Sequence, residues 1–227
     1  VMSRENYDDP WWTPLPFSLP MPEKKIALLK KIEGLKIDPI ISAELDLVAK
    51  RLEDSGWVIE EPKAPNFLEA AKFQATLWLG EFRRTGGEAI TKENDPDSNF
   101  IYSQMSRRCP DTSLEKFMDS LQQRARISRE WNKFFDQYPL ILCPITGDVP
   151  FPDLKDLESE ESFDLVFDSM LPQIAPPYMG LPGLSFATSQ TKQKIPLGVQ
   201  FISRKFREDL LLNVGYESYG NEIMYNG

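Results

Sequence analysis

The 227-residue chain contains no histidine, and this one absence narrows the chemistry open to it. Ser-His-Asp and Cys-His nucleophile systems, histidine general bases and histidine metal sites are removed together. The two cysteines, Cys109 and Cys143, do not make a disulfide framework. Cys143 lies inside the apolar run Leu140 to Cys143, which predicts a small buried thiol with no positive group to activate it. Carboxylates alone make a poor structural zinc site, so neither metal nor cofactor is expected. Two groups of carboxylates invite closer reading. Glu60 and Glu61 are neighbours on a predicted strand, whose alternation sends them to opposite faces, so one solvated and one edge carboxylate is expected rather than an acid-base pair. Asp153, Asp156, Glu158, Glu160, Glu161, Asp164 and Asp168 form an acidic run, but it lacks the glycine-centred loop and alternating oxygen ligands of a calcium site. It reads as a solvated loop entering a helix whose N-terminus favours negative charge.

The stretch from Gln173 to Glu208 organises the rest. Pro176, Pro177, Gly180, Pro182 and Gly183 predict a rigid, tightly turned entry. Two apolar runs follow, Leu184 to Ser189 and Leu197 to Ser203, divided by the polar Gln190 to Lys194, and they predict an antiparallel pair of buried strands. Pro196 stands where the second strand begins, a position that tolerates a missing N–H. In this order, Gly180, Pro182, Ser185, Pro196, Gly198, Gln200, Phe206, Glu208 and Asp209 resemble the end of the amidase signature family. That family commonly finishes with a G-x-P strand, a P-x-G-x-Q strand and a terminal helix. Asp9-Pro10-Trp11-Trp12 resembles the segment that follows the signature core in several bacterial amidases, and Leu140 to Thr146, LILCPIT, resembles the family's central strand, which borders the substrate cleft. The resemblance runs from about Val1 to about Tyr219.

The resemblance implies a serine hydrolase of carboxylic amides, working through an acyl-enzyme with a serine, a cis-serine and a lysine, a mechanism that needs no histidine. The Gly-Gly-Ser-Ser-Gly-Gly-like run that carries those serines in the family has no counterpart here. Gly86-Gly87 is the only adjacent glycine pair, and Glu88 and Ala89 follow it. The chain therefore reads as the C-terminal half of an amidase-like protein, a single domain fragment over residues 1–227 with no catalytic residue of its own and inactive alone. Its expected partners are an N-terminal amidase core, on the same parent chain or a companion chain, and a small-molecule amide. The alternative is a truncated paralogue that serves as a non-catalytic binding or scaffold module. In glutamine-using members an acidic residue before the G-L-P turn holds the substrate amino group; the matching window here, Ser169 to Gln173, is uncharged, with Asp168 just outside it. The resemblance thus implies Met170, Leu171, Tyr178 and Met179 as an apolar pocket lining suited to hydrophobic or aromatic groups.

The elements that must position these residues follow from composition and periodicity. A chain that is 41% hydrophobic and 27% charged has enough apolar material for one good core. A net charge of −9 argues against nucleic acid or an anionic membrane as partner. With no 18-residue apolar run and no signal pattern, the cytoplasm is the expected compartment. Pro10 to Pro22, with Trp11, Trp12 and Phe17, predicts an extended strap. Lys25 to Ile32 predicts a buried strand. Asp38-Pro39 opens a helix with Ile41, Leu45, Val48 and Leu52 on one face, Gly56 ends it, and Trp57 to Glu60 is the strand that answers it. Asn66 caps a second helix that carries Phe67, Ala70, Ala71, Gln74, Leu77, Trp78 and Phe82 as far as Gly86. Residues 88–111 read as an irregular excursion, with Asn94 to Asp97 as a turn. A capping box at Thr112 and Glu115 launches a long helix with Phe117, Leu121, Ala125, Ser128, Asn132 and Phe135 inward. A last helix starts near Phe206, and residues 221–227 fray. The fold class is α/β: a mixed sheet of about five strands flanked by helices.

Overall fold

The computed structural model describes residues 5, 8–9, 12–14 and 19–219. Trp11, Phe17 and the tail 221–227 lie outside the described residues. Five strands form one mixed sheet in the order β2-β1-β3-β5-β4: β1 (Lys25–Leu28), β2 (Val58–Glu60), β3 (Leu140–Pro144), β4 (Gly183–Gln190) and β5 (Pro196–Ser203). β1 runs parallel to β2 and β3, whereas β5 is antiparallel to both β3 and β4. This is the expected mixed sheet, and the two C-terminal strands pair as their apolar runs predicted.

Alternation along the strands builds two cores. Ala27, Ile141, Cys143 and Ile202 face α2 (Phe67–Thr85), α5 (Leu114–Gln137) and α7 (Leu171–Met179). Ile26, Leu28, Leu140, Leu142, Val199 and Phe201 face the other way, against Leu45, Val48 and Leu52 of α1 (Pro39–Asp54) and Leu210, Leu211 and Val214 of α8 (Glu208–Tyr219). The period of two on the strands thus meets the period of 3.6 on the helices. Asp38 caps α1 by accepting from the Ile40 N–H at 2.7 Å, with Pro39 at the first helical position. Glu44 of α1 accepts from the hydroxyls of Thr188 at 2.5 Å and Ser189 at 2.7 Å, which ties the far end of β4 to the helix layer.

Five expectations are corrected. The 88–111 stretch is not irregular: it folds as α3 (Gly87–Glu93) and α4 (Pro96–Arg108), with Asn94 in a left-handed C-cap and Asp95 capping α4 by accepting from the Ser98 N–H at 2.8 Å. Pro176 and Pro177 do not form a turn but lie inside α7, whose stop is Gly180 at φ +65°. The cap of α5 is Ser113, which accepts from the Lys116 N–H at 3.3 Å, one residue beyond the expected threonine. The buried face of α5 is Ser120, Ile127, Trp131 and Phe135, while Leu121 is exposed. Tyr178 accounts for this rotation, because its hydroxyl donates to the Ser120 carbonyl and so fixes which side of α5 meets α7. Similarly, Trp78 and Phe82 are exposed on α2, and Leu79 is buried in their place.

The end of the N-terminal strap reaches the last helix: Arg207 donates to the Pro20 carbonyl at 3.3 Å, and the Asn213 amide meets the Met21 sulfur at 3.5 Å.

Candidate functional site

The C-terminal ends of parallel strands are where α/β sheets place ligand crevices. Here the chain leaving β3 is held tightly. Gly147 N–H donates to the Ser169 carbonyl and its own carbonyl accepts from Asp38 N–H, both at 2.8 Å. A side chain at Gly147 would place Cβ 2.3 Å from the Lys36 carbonyl, so only glycine lets the ends of α1 and α6 (Glu160–Ser169) converge there. Beside this junction opens a cleft of about 430 Å³, walled by α2, α7, the end of α6 and the loop Cys109 to Thr112. Leu68, Ala71, Leu79, Phe167, Leu171 and Ile174 give it an apolar floor, and Thr76, Lys72, Lys116 and Asp168 add polar groups. That mixture suits a small molecule with an apolar body and one hydrogen-bonding end.

Arg108 closes one side. It donates to Asp164 at 2.7 Å and to Asp168, and its guanidinium lies 4.6 Å from the centre of the Phe167 ring. Burial alone would lower the Arg108 pKa, but the two carboxylates outweigh it and hold it above its ordinary value. Arg107 adds bonds to Asp164 at 2.6 Å and Glu160 at 3.4 Å. The Arg108 guanidinium, helped by that of Arg107, holds the Asp164 carboxyl below the usual carboxylate range. The second half of the acidic run therefore clamps α4 to α6, and is not simply solvated. Among the described residues no group of carboxylates and cysteines has the arrangement of a metal site.

The four residues implied as pocket lining are not brought together in one cavity. Leu171 forms part of the cleft wall. Met170 is packed against the core, Tyr178 is buried within it, and Met179 borders a separate cavity beside Trp131 and Arg204. Tyr178 stacks on Phe73 at 5.7 Å between ring centres, and burial pushes its hydroxyl pKa up. Cys143 is fully buried, and burial pushes its thiol up to about 12; the Gln200 amide, which also donates to the Pro172 carbonyl at 3.2 Å, is its neighbour at 3.7 Å. Glu60 and Glu61 both serve in ion pairs, Glu60 with Lys25 at 2.8 Å and the Tyr138 hydroxyl at 2.7 Å, Glu61 with Lys30 at 2.8 Å. Two buried serine hydroxyls have ordinary structural partners: Ser120 donates to the Lys116 carbonyl and Ser169 to the Val166 carbonyl.

The α3-α4 layer and the walls it builds were missed by periodicity. A second cavity, of about 700 Å³, lies between α2, α4 and the loop at Leu154, sharing Leu79 and Met105 with the first. The signal that could have found α4 is Asp95-Pro96, the same cap-and-proline pair that announces α1.

Comparison with known proteins agrees with this architecture. Indoleacetamide hydrolase of Bradyrhizobium diazoefficiens is 29% identical over 216 residues, which is 94% of this chain and 41% of that protein. Indoleacetamide hydrolase of Bradyrhizobium japonicum is 28% identical over 216 residues, 94% of this chain and 46% of that one. The chain thus spans less than half the length of these relatives. Among solved structures, 6-aminohexanoate cyclic dimer hydrolase superposes with a TM-score of 0.74 at 15% identity, covering 96% of this chain and 50% of its own, and fatty acid amide hydrolase with 0.68 at 15%, covering 91% and 42%. These two share the fold. The family model described as Amidase matches residues 18–212, and the chain belongs to the amidase family.

Proposed function

We propose that this chain is the C-terminal portion of a serine amide hydrolase, forming the wall and cover of the substrate cleft while the nucleophilic serine, the cis-serine and the lysine base come from a glycine-serine core outside these 227 residues. The observation that carries the reading is the combination of a family match over residues 18–212 with a cleft in which Thr76, Arg108 and Asp168 are committed to structural bonds. In this arrangement Leu171 meets the acyl or amine group of the substrate directly, and Met170, Tyr178 and Met179 set the position of α7. The uncharged window Ser169 to Gln173 favours an apolar amide over an amino acid amide. The resemblance to indoleacetamide hydrolase supports an aromatic body.

The test is complementation. The purified chain is combined with the glycine-serine half of its parent protein, and indole-3-acetamide and glutamine are compared as substrates. Activity is expected only in the combination, with the aryl amide preferred, and Leu171→Asp, in the cleft wall, is expected to shift the ratio towards glutamine. A combination that binds indole-3-acetamide without hydrolysing it would instead favour the scaffold reading. A parent that prefers glutamine, or a ratio unmoved by the substitution, would remove the window from the pocket.

A further inference from the structure

From the second cavity we infer that the chain has a binding site for an organic amine, a flat aromatic body carrying a protonated amino group. This inference stands independently of the hydrolase reading. The walls are aromatic: Trp78 and Phe82 come from α2 and Tyr102 from α4, and the Phe82 and Tyr102 rings meet edge to face at 5.7 Å. Gly86 and Gly87, the chain's only adjacent glycines, make this wall possible. A Cβ at Gly86 would fall 2.6 Å from the Phe82 ring, and one at Gly87 would fall 2.6 Å from the Tyr102 hydroxyl. Trp78 remains 44% exposed and Leu154, a non-glycine residue held at φ +57°, 58% exposed, so large apolar surfaces face the open cavity.

Charge selects the ligand. Glu81, Asp97 and Asp156 line the same cavity, each from a different element, and its lining contains no lysine or arginine. Elsewhere on the molecule carboxylates meet cations, as Asp164 meets Arg107 and Arg108, but these three enter no ion pair within the described residues. A cation between ring faces and carboxylates gains from both, because the quadrupole of an indole or phenol ring also attracts positive charge. The first cleft differs, since Lys72, Lys116 and Arg108 stand in its wall.

The probes are tryptamine, indole-3-ethanol and indole-3-acetate, which share one aromatic body and carry a positive, no and a negative charge. Each is titrated calorimetrically into the full chain at neutral pH and physiological salt. Tryptamine is expected to bind about tenfold more tightly than the alcohol, equivalent to about 1.4 kcal/mol, and the carboxylate more weakly still. Replacing the three carboxylates together, Glu81→Gln, Asp97→Asn and Asp156→Asn, is expected to bring tryptamine to the level of the alcohol. The matched surface variant Glu33→Gln, Glu115→Gln, Asp119→Asn is expected to leave the preference intact, which separates the site from the overall negative charge. Phe82→Ala is expected to weaken all three probes. The inference is overturned if the folded chain binds none of them, if indole-3-acetate binds as well as tryptamine, or if the triple cavity variant keeps the preference for the cation.

Discussion

Burial pushes the Cys143 thiol up to about 12, from an ordinary value of 9.0, so at mildly alkaline pH it holds about a thousandfold less thiolate than a free thiol. Cys109 is only partly buried. A thiol reagent at that pH is expected to modify Cys109 alone in the native chain and both cysteines after denaturation; rapid native labelling of Cys143, located by peptide mass, would contradict its placement. Gly198 is governed by contact and not by charge. A methyl group there would stand 2.5 Å from the Phe186 carbonyl oxygen and 3.1 Å from Ile145 Cδ1. Gly198→Ala is therefore expected to force the β4-β5 pair apart and lower unfolding free energy by about 1–3 kcal/mol, read from the urea midpoint. An unchanged midpoint would mean that the strands approach less closely than described.

At the scale of elements, α4 is clamped by charge at its C-terminal end. It has no buried residue, and Arg107 and Arg108 at its end bind Glu160, Asp164 and Asp168 around α6. Asp164 has its folded pKa below its unfolded value, so its contribution is complete above the ordinary carboxylate range and is lost as pH falls through the lowered folded value. Asp164→Asn is accordingly expected to speed amide hydrogen exchange across residues 96–108 at neutral pH while leaving β1 and β3 protected, and the difference from the parent should vanish in acid. Equal exchange at neutral pH would place the clamp elsewhere. The same lack of a buried face explains why α4 was not legible in the sequence. Asp38-Pro39 was readable because an apolar period follows it, whereas Asp95-Pro96 opens onto Asp97, Ser98 and Asn99, a polar run that resembles a loop, before the short apolar group Phe100 to Tyr102. The strands were legible because Leu140 to Pro144 is a continuous apolar run and Leu197 to Ser203 is rich in apolar residues, with Val199, Phe201 and Ile202. The rotation of α5 was not, since it depends on the bond from Tyr178 to the Ser120 carbonyl, a contact across 58 residues. Of the candidate site, the acidic run and the window at Met170 and Leu171 could be read, but their partners on α4 and α2 are tertiary.

For the whole molecule the sheet edge matters most. Helices cover both faces of β1, β3 and β5, but Gly183, Ser185 and Ala187 of β4 are exposed on one face and, among the described residues, the outer edge of β4 pairs with no strand. The strand is eight residues long, GLSFATSQ, with no charge and no proline, so it lacks the usual guards of a free edge. The opposite edge, β2, has three residues and is followed closely by Pro62. The chain alone is expected to self-associate, and Ala187→Lys to reduce that association in sedimentation; a parent that sediments as a monomer would mean that the edge is protected as it stands. The account as a whole rests on the division of labour between this chain and a glycine-serine core. Its most direct test is treatment of the purified 26.1 kDa chain with a fluorophosphonate serine probe beside an assay on indole-3-acetamide. No labelled serine and no turnover are expected; turnover that the probe abolishes, with label on a serine of this chain, would contradict the assignment of the nucleophile to another segment.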